Sequence, residues 1–142
     1  MSIETPPPFD RFIGVEYLEH GDDFARARLT ITPELLQPYD IVHGGVHSAL
    51  AESVVSRATA MLVAPRGKGA VGLSNHTSFL RPATAGVLHA DGRARHRGRT
   101  TWVWDVDISD DSGRLCSTSR ITLAVIDPPE RPDAQSGDVQ PA

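Results

Sequence analysis

Residues Gln37 to Met61 read QPYDIVHGGVHSALAESVVSRATAM, and the course of the chain turns on them. A proline-containing loop leads to a His43-Gly44-Gly45 step, after which no proline occurs until Pro65 and helix-forming residues dominate. At about 100° per residue, Val46, Leu50, Val54, Val55, Ala58, Met61 and Leu62 gather on one arc that reads as core. The opposite stripe, Gly45, Ser48, Glu52, Ser56 and Thr59, is small or hydroxylic apart from one acid at its centre, so a ligand can come close to Glu52. His47 and Arg57 interrupt the pattern beside the apolar arc, and the stripe can therefore partly face other protein.

Outward from this helix the period changes to two. Phe12 to Leu18 reads as a first strand and Glu19 to Asp23 as a turn. In Phe24 to Thr32, Ala25, Ala27, Leu29 and Ile31 alternate with Arg26, Arg28 and Thr30. Beyond the breakers Pro65 to Gly69 come four more strands, Ala70 to Leu80, Gly86 to Arg97, Thr101 to Ser109 and Leu115 to Ile126. The third is the clearest, with Trp102, Trp104, Val106 and Ile108 on one face and a turn, Asp110-Asp111-Ser112-Gly113, after it. Two strands, one long helix and four strands give an α+β architecture in which a single helix covers an antiparallel sheet. The domain spans 11–126. Residues 1–10, with Pro6-Pro7-Pro8, are expected to be a loose arm unable to form helix, and 127–142 a disordered tail.

Composition narrows the function. A chain of 142 residues, 39% hydrophobic, supports one domain, and a net charge of -4 argues against nucleic acid as the main partner. Thirteen of the 14 basic residues are arginine, the side chain suited to forked hydrogen bonds with phosphate or carboxylate; an arginine-rich codon bias gives the same count. A lone cysteine, Cys116, excludes an internal disulfide and a cysteine-based metal cluster. With no secretory leader pattern and no apolar run near 18 residues, the expectation is a soluble cytoplasmic protein without a membrane partner.

His43-Gly44-Gly45, Glu52 eight residues after Gly44, and Asn75-x-x-Ser-Phe-Leu-Arg-Pro82 together form a joint motif. Across about residues 12 to 126 the chain resembles the hotdog-fold acyl-CoA thioesterases of the PaaI type, close to their 4-hydroxybenzoyl-CoA thioesterase branch. The resemblance implies a hotdog fold, a curved six-stranded antiparallel sheet wrapped around one long central helix. It further implies a homodimer joined edge to edge, with pairs of dimers commonly forming homotetramers.

The chemistry stands without the resemblance. Thioester hydrolysis needs an anchor for the carbonyl oxygen and a base or nucleophile at the carbonyl carbon. The unpaired N–H of Gly44 at the helix start supplies the anchor, with Gly45 giving room, and Glu52 supplies the base or nucleophile. Eight residues of helix rise separate them by about 12 Å. One chain cannot bring both to one carbonyl, so a second subunit is required.

The resemblance carries further roles. It places the Gln37 amide near the thioester, makes Ser56 a hydroxyl that holds water or orients the carboxylate, and gives His43 the task of orienting the loop. Asn75 and His76 are candidate channel residues. Arg93, Arg95 and Arg97 are spaced to share one strand face, with Arg99, Thr100 and Arg81 nearby. They read either as contacts to the phosphates of coenzyme A or as an ordinary solvated face. No cofactor is expected beyond coenzyme A as part of the substrate, and His43 with His47 makes a poor metal site. A non-catalytic acyl-CoA sensor and a hydratase are the competing readings.

Overall fold

The structure, a computed structural model, describes residues 5–130; residues 1–4 of the expected arm and 131–142 of the expected tail lie outside the described residues. Six strands form one sheet: β1 (Val15–His20), β2 (Phe24–Thr30), β3 (Gly69–Phe79), β4 (Val87–Arg97), β5 (Thr101–Ser109) and β6 (Leu115–Ile126). Their order is β1-β2-β4-β5-β6-β3, with every neighbouring pair antiparallel. One long helix, α2 (Gly44–Val63), packs against the sheet, and a short helix, α1 (Pro8–Ile13), precedes β1. This is the hotdog architecture expected from the sequence.

The alternating residues of β5 explain the core. Trp104, Val106 and Ile108 are fully buried, and Trp102 stacks beside Trp104 with ring centroids 6.2 Å apart. From β4 the inward residues Ala90 and Gly92 are small, and the helix settles closely on them: a Cβ at Gly92 would stand 2.8 Å from Val55 Cγ1. The buried face of α2 comprises His47, Leu50, Ala51, Val54, Val55, Ala58, Thr59 and Val63. Thr59 belongs to this core rather than to the polar stripe, because the Trp104 indole N–H donates to its hydroxyl at 3.0 Å. Val46, Met61 and Leu62 are only partly covered.

Two differences from the sequence reading affect the site. The expected loose arm 1–10 becomes helical from Pro8, and β1 starts at Val15 rather than at Phe12. Proline is well suited to the first turn of a helix, where its missing N–H costs nothing, and Gly14 ends α1 in the left-handed conformation at φ 85°. The second difference is a pair of bulges. Pairing shifts between Gly72 and Ser74 in β3 and between Ala94 and His96 in β4, so the residues beyond each bulge change faces. Asn75, Thr77 and Phe79 thereby lie opposite Ile121, Ser119 and Ser117, on the side of the helix. Arg97 likewise lies opposite the inward Trp102, whereas Arg93 lies opposite Asp105.

Candidate active site

Glu52 is half-buried in the middle of α2, and its carboxylate meets β3. Asn75 Nδ2 donates to Glu52 Oε2 at 3.1 Å and to the Ser48 carbonyl at 2.9 Å. Thr77 Oγ1 donates to Asn75 Oδ1 at 2.7 Å and lies 2.8 Å from the buried Ser119 hydroxyl, so the amide has one satisfied orientation. Gly72 leaves the space this arrangement needs: a Cβ there would stand 2.8 Å from Glu52 Oε1. Ser56, one turn along α2, shares with Glu52 a cavity of about 660 Å³.

Gly44 opens onto a different cavity, of about 650 Å³, with Gln37, His43, His47 and Arg81. His43 caps the helix: its Nδ1 accepts the Gly45 N–H at 2.9 Å and its carbonyl accepts the Val46 N–H at 2.9 Å. Among the described residues nothing accepts the Gly44 N–H. The Gln37 side-chain oxygen takes the Tyr39 N–H, which turns the amide hydrogens away from that contact and leaves them for a ligand. Phe79 covers the Cα side of Gly44, where a Cβ would stand 2.9 Å from its ring. Behind it His47 Nδ1 lies 3.0 Å from the Ser117 hydroxyl, with its ring edge-on to Phe79 and burial pushing its pKa below the usual histidine value.

One chain therefore brings Glu52, Ser56 and Asn75 together, and separately Gly44, Gln37 and His43, without joining the two groups. The arginine row does not form as the spacing predicts. Arg93 pairs with Asp91 at 3.2 Å and Arg95 with Asp105 at 3.4 Å, whereas the bulge sends Arg97 to the other face, over the Trp102 ring. Arg97 and Arg99 instead line a cavity of about 320 Å³ with Arg66 at the β4–β5 turn. Arg81 stands in the Gly44 cavity, and Thr100 is exposed, its carbonyl accepting the Val125 N–H at 2.9 Å. His76 lies opposite the exposed Arg120, on the face away from the helix.

The sequence reading missed a polar cluster in the wall of the Glu52 cavity. Asp10 of α1, 6% exposed, accepts a hydrogen bond from Ser53 Oγ at 2.7 Å and another from the Tyr17 hydroxyl. Burial, reinforced by the Asp10 carboxylate, pushes the Tyr17 phenol well above its usual range, so it stays protonated and donates. The Arg57 guanidinium lies 4.3 Å from the Tyr17 ring centroid. Arg57 interrupting the apolar arc was the one trace of this cluster in the sequence; Asp10 sits where the prolines suggested an arm.

Among the described residues no helix is long and apolar enough to cross a membrane. Residues 39–117 match the family model described as the thioesterase superfamily. The chain is 38% identical over 123 residues to a Mycobacterium tuberculosis protein named as an esterase, Rv1847, covering 85% of this chain and 88% of that one. The solved structure of that protein superposes with a TM-score of 0.82 over 87% of this chain and 99% of the other, at 36% identity. Proofreading thioesterase EntH of Cronobacter turicensis is 34% identical over 80% of this chain and 82% of its own length. The Escherichia coli PaaI protein from the phenylacetic acid degradation operon superposes with a TM-score of 0.77 at 26% identity, over 84% of this chain and 85% of that one. A helix opening with a free N–H, a positioned mid-helix carboxylate and a six-stranded wrap agree with these matches: the chain belongs to the thioesterase superfamily and is a thioester hydrolase of hotdog fold.

Proposed function

We propose that the protein is a cytoplasmic acyl-CoA thioesterase whose active site is completed by a second copy of the chain, the Gly44 N–H of one subunit facing Glu52 of the other. The observation that carries this reading is the division of the catalytic groups between two cavities, with Glu52 in one and Gly44 in the other. The outer edge of β3, eleven residues long with Val71 and Leu73 exposed, is where two sheets would join, and pairing of such dimers makes a tetramer.

In this reading the Gly44 N–H and the dipole of α2 stabilise the oxygen on which negative charge develops, with Gly45 leaving room for the approach. Glu52 either attacks the carbonyl carbon, forming an acyl-enzyme anhydride that water then cleaves, or removes a proton from the attacking water, which Ser56 holds. The bond to sulfur breaks, and coenzyme A leaves as the thiolate. Gln37 donates to the thioester, and Asn75 holds the carboxylate. Arg81, Arg97 and Arg99 are the arginines placed for the phosphates of coenzyme A; Arg93 and Arg95 are committed to aspartates. The acyl group is aryl, arylacetyl or medium-chain.

The test is release of free thiol from a panel of acyl-CoAs by the wild type, Glu52→Gln and Glu52→Ala. Either variant should lose at least about 10²-fold in kcat with its fold intact. Heterodimers of Glu52→Ala with Gly44→Pro should regain activity at one of their two sites. Heterodimers no more active than their parents would overturn the shared site, and binding of acyl-CoA without turnover by the wild type would make the protein a sensor.

A further inference from the structure

His47 stands in the wall of the Gly44 cavity, 4% exposed, and the hydrolytic steps above give it no task. Its Nδ1 lies 3.0 Å from the Ser117 hydroxyl, while among the described residues Nε2 has no partner and is not sealed away from the cavity. Buried polar groups are satisfied almost without exception, so an imidazole nitrogen left open to a cavity calls for a ligand atom. Whether that atom accepts or donates depends on where the imidazole hydrogen sits.

Ser117 decides this. Its hydroxyl is fully buried, and His47 is its one side-chain partner among the described residues. With the hydrogen on Nδ1, the serine hydrogen would be left unanswered in the core; with Ser117 donating to Nδ1, both groups are satisfied and the imidazole hydrogen sits on Nε2. The ring stays neutral, because burial lowers its pKa and the N-terminal potential of α2, joined by Arg81 in the same cavity, opposes a further positive charge. His47 is thus an uncharged donor, fixed from behind by Ser117 and from the side by the Phe79 ring, edge-on with centroids 6.1 Å apart.

An uncharged donor among Ile41, Val42, Leu80 and Pro82 suits a neutral acceptor, a carbonyl oxygen. A CoA thioester carries carbonyls of two kinds, that of the thioester and those of the amides in its thiol arm. In the reading above the thioester carbonyl is taken by Gly44 and Gln37. His47 lies three residues beyond Gly44, about 4.5 Å of helix rise. That displacement matches the amide carbonyl nearest the sulfur, whose carbon is five bonds from the thioester carbon. We propose that the His47 Nε2–H binds this amide carbonyl, with Ser117 as the positioning residue that sets the tautomer. The inference rests on the acyl-CoA reading of the Gly44 cavity and adds to it a means of telling the thiol arm from a plain alkyl thiol, since a buried donor left unpaired penalises the analogue that lacks its acceptor.

The experiment uses three phenylacetyl thioesters: that of CoA, that of N-acetylcysteamine, which keeps the near amide and little else of the arm, and that of butanethiol, which has no amide. The variant His47→Phe with Ser117→Ala removes the donor without leaving a buried hydroxyl unpaired, and circular dichroism checks its fold. It should raise KM for the first two thioesters about 5- to 10-fold, with a smaller change in kcat, and leave the butyl thioester as it is. Ser117→Ala alone, which frees the tautomer, should give a smaller change of the same kind. Nitrogen-15 shifts of the wild-type imidazole should report the neutral ring protonated at Nε2. An equal loss on all three thioesters, no loss on any, or a hydrogen on Nδ1 overturns the contact; a fall in kcat on all three without a rise in KM overturns it in favour of the thioester oxygen. Calorimetry of phenylacetyl-CoA on Glu52→Gln, with and without the two further substitutions, separates the readings. A 5- to 10-fold weaker Kd without turnover by the wild type retains the His47 contact while overturning hydrolysis, and an unchanged Kd with full turnover does the reverse.

Discussion

The amide of Asn75 donates one hydrogen to the Glu52 carboxylate at 3.1 Å and the other to the Ser48 carbonyl at 2.9 Å, and its oxygen accepts from Thr77. The carboxylate is thus tied to an edge strand through a side chain whose two N–H bonds are both engaged. Asn75→Ala should lower kcat by about 10-fold or more, the scale of one hydrogen bond to a charged group, and change KM less. Thr77→Val, which removes only the group orienting the amide, should give a smaller loss of the same kind. Steady-state kinetics on the best acyl-CoA check both, and an effect confined to KM would place Asn75 in binding alone.

Gly72 faces the same carboxylate from β3. With an alanine Cβ 2.8 Å from Glu52 Oε1, the carboxylate must move. Gly72→Ala should therefore cost on the order of 10²-fold in kcat, the usual penalty for displacing a reacting group by about 1 Å. Because Gly72 is exposed on an edge strand, the thermal midpoint should move little. A large fall in midpoint with unchanged kcat would reverse the assignment.

His47 gives the fold a pH dependence. Burial lowers its pKa from the ordinary 6.5, so below that value the unfolded chain takes a proton that the folded chain refuses. Its contribution is complete above pH 6.5 and is lost as pH falls from there toward the depressed folded value. The lowered aspartates Asp105, Asp110 and Asp111 act only below their ordinary 3.8 and leave this window clear. The urea midpoint of the wild type should drop more between pH 7.5 and 5.5 than that of His47→Gln, whose amide can still reach Ser117 but does not titrate. Parallel drops would exclude His47 as the cause.

Trp104→Phe removes the indole N–H and leaves the fully buried Thr59 hydroxyl without that partner. A cost of about 1–3 kcal/mol is expected from the hydrogen bond, with the lost ring volume in addition. Adding Thr59→Val should recover part of it, a coupling that a double-mutant cycle of denaturation curves reads directly. Strict additivity would mean the two side chains do not share the bond.

The helix and the last three strands were legible because their periodicities are long and unambiguous: β4, β5 and β6 fall within one residue of their expected limits, and α2 starts at the predicted glycine step. The separation of Gly44 from Glu52 was also readable, since helix rise alone sets it. What the sequence concealed depends on contacts between distant segments. Asp10 is held by Ser53 and Tyr17, partners 43 and 7 residues away, which no local pattern couples. Thr59 reads as polar until Trp104 supplies its partner. The arginine row failed for a third reason: a period of two presumes an unbroken pleat, and β4 breaks it at Arg95.

The two bulges act as parity switches in the chain. A regular pleat that kept Leu73 would put Ser74 opposite Ile121 and turn Asn75 and Thr77 away from the helix, although both residues would still be present. A regular pleat that kept Arg95 would likewise turn Arg97 away from Trp102 and toward the face that Arg93 occupies. At these two positions one unpaired residue decides which of the following side chains reach the helix. When the chain is compared with a relative of different strand length, residues must be matched by the face they occupy before they are matched by their place in the alignment.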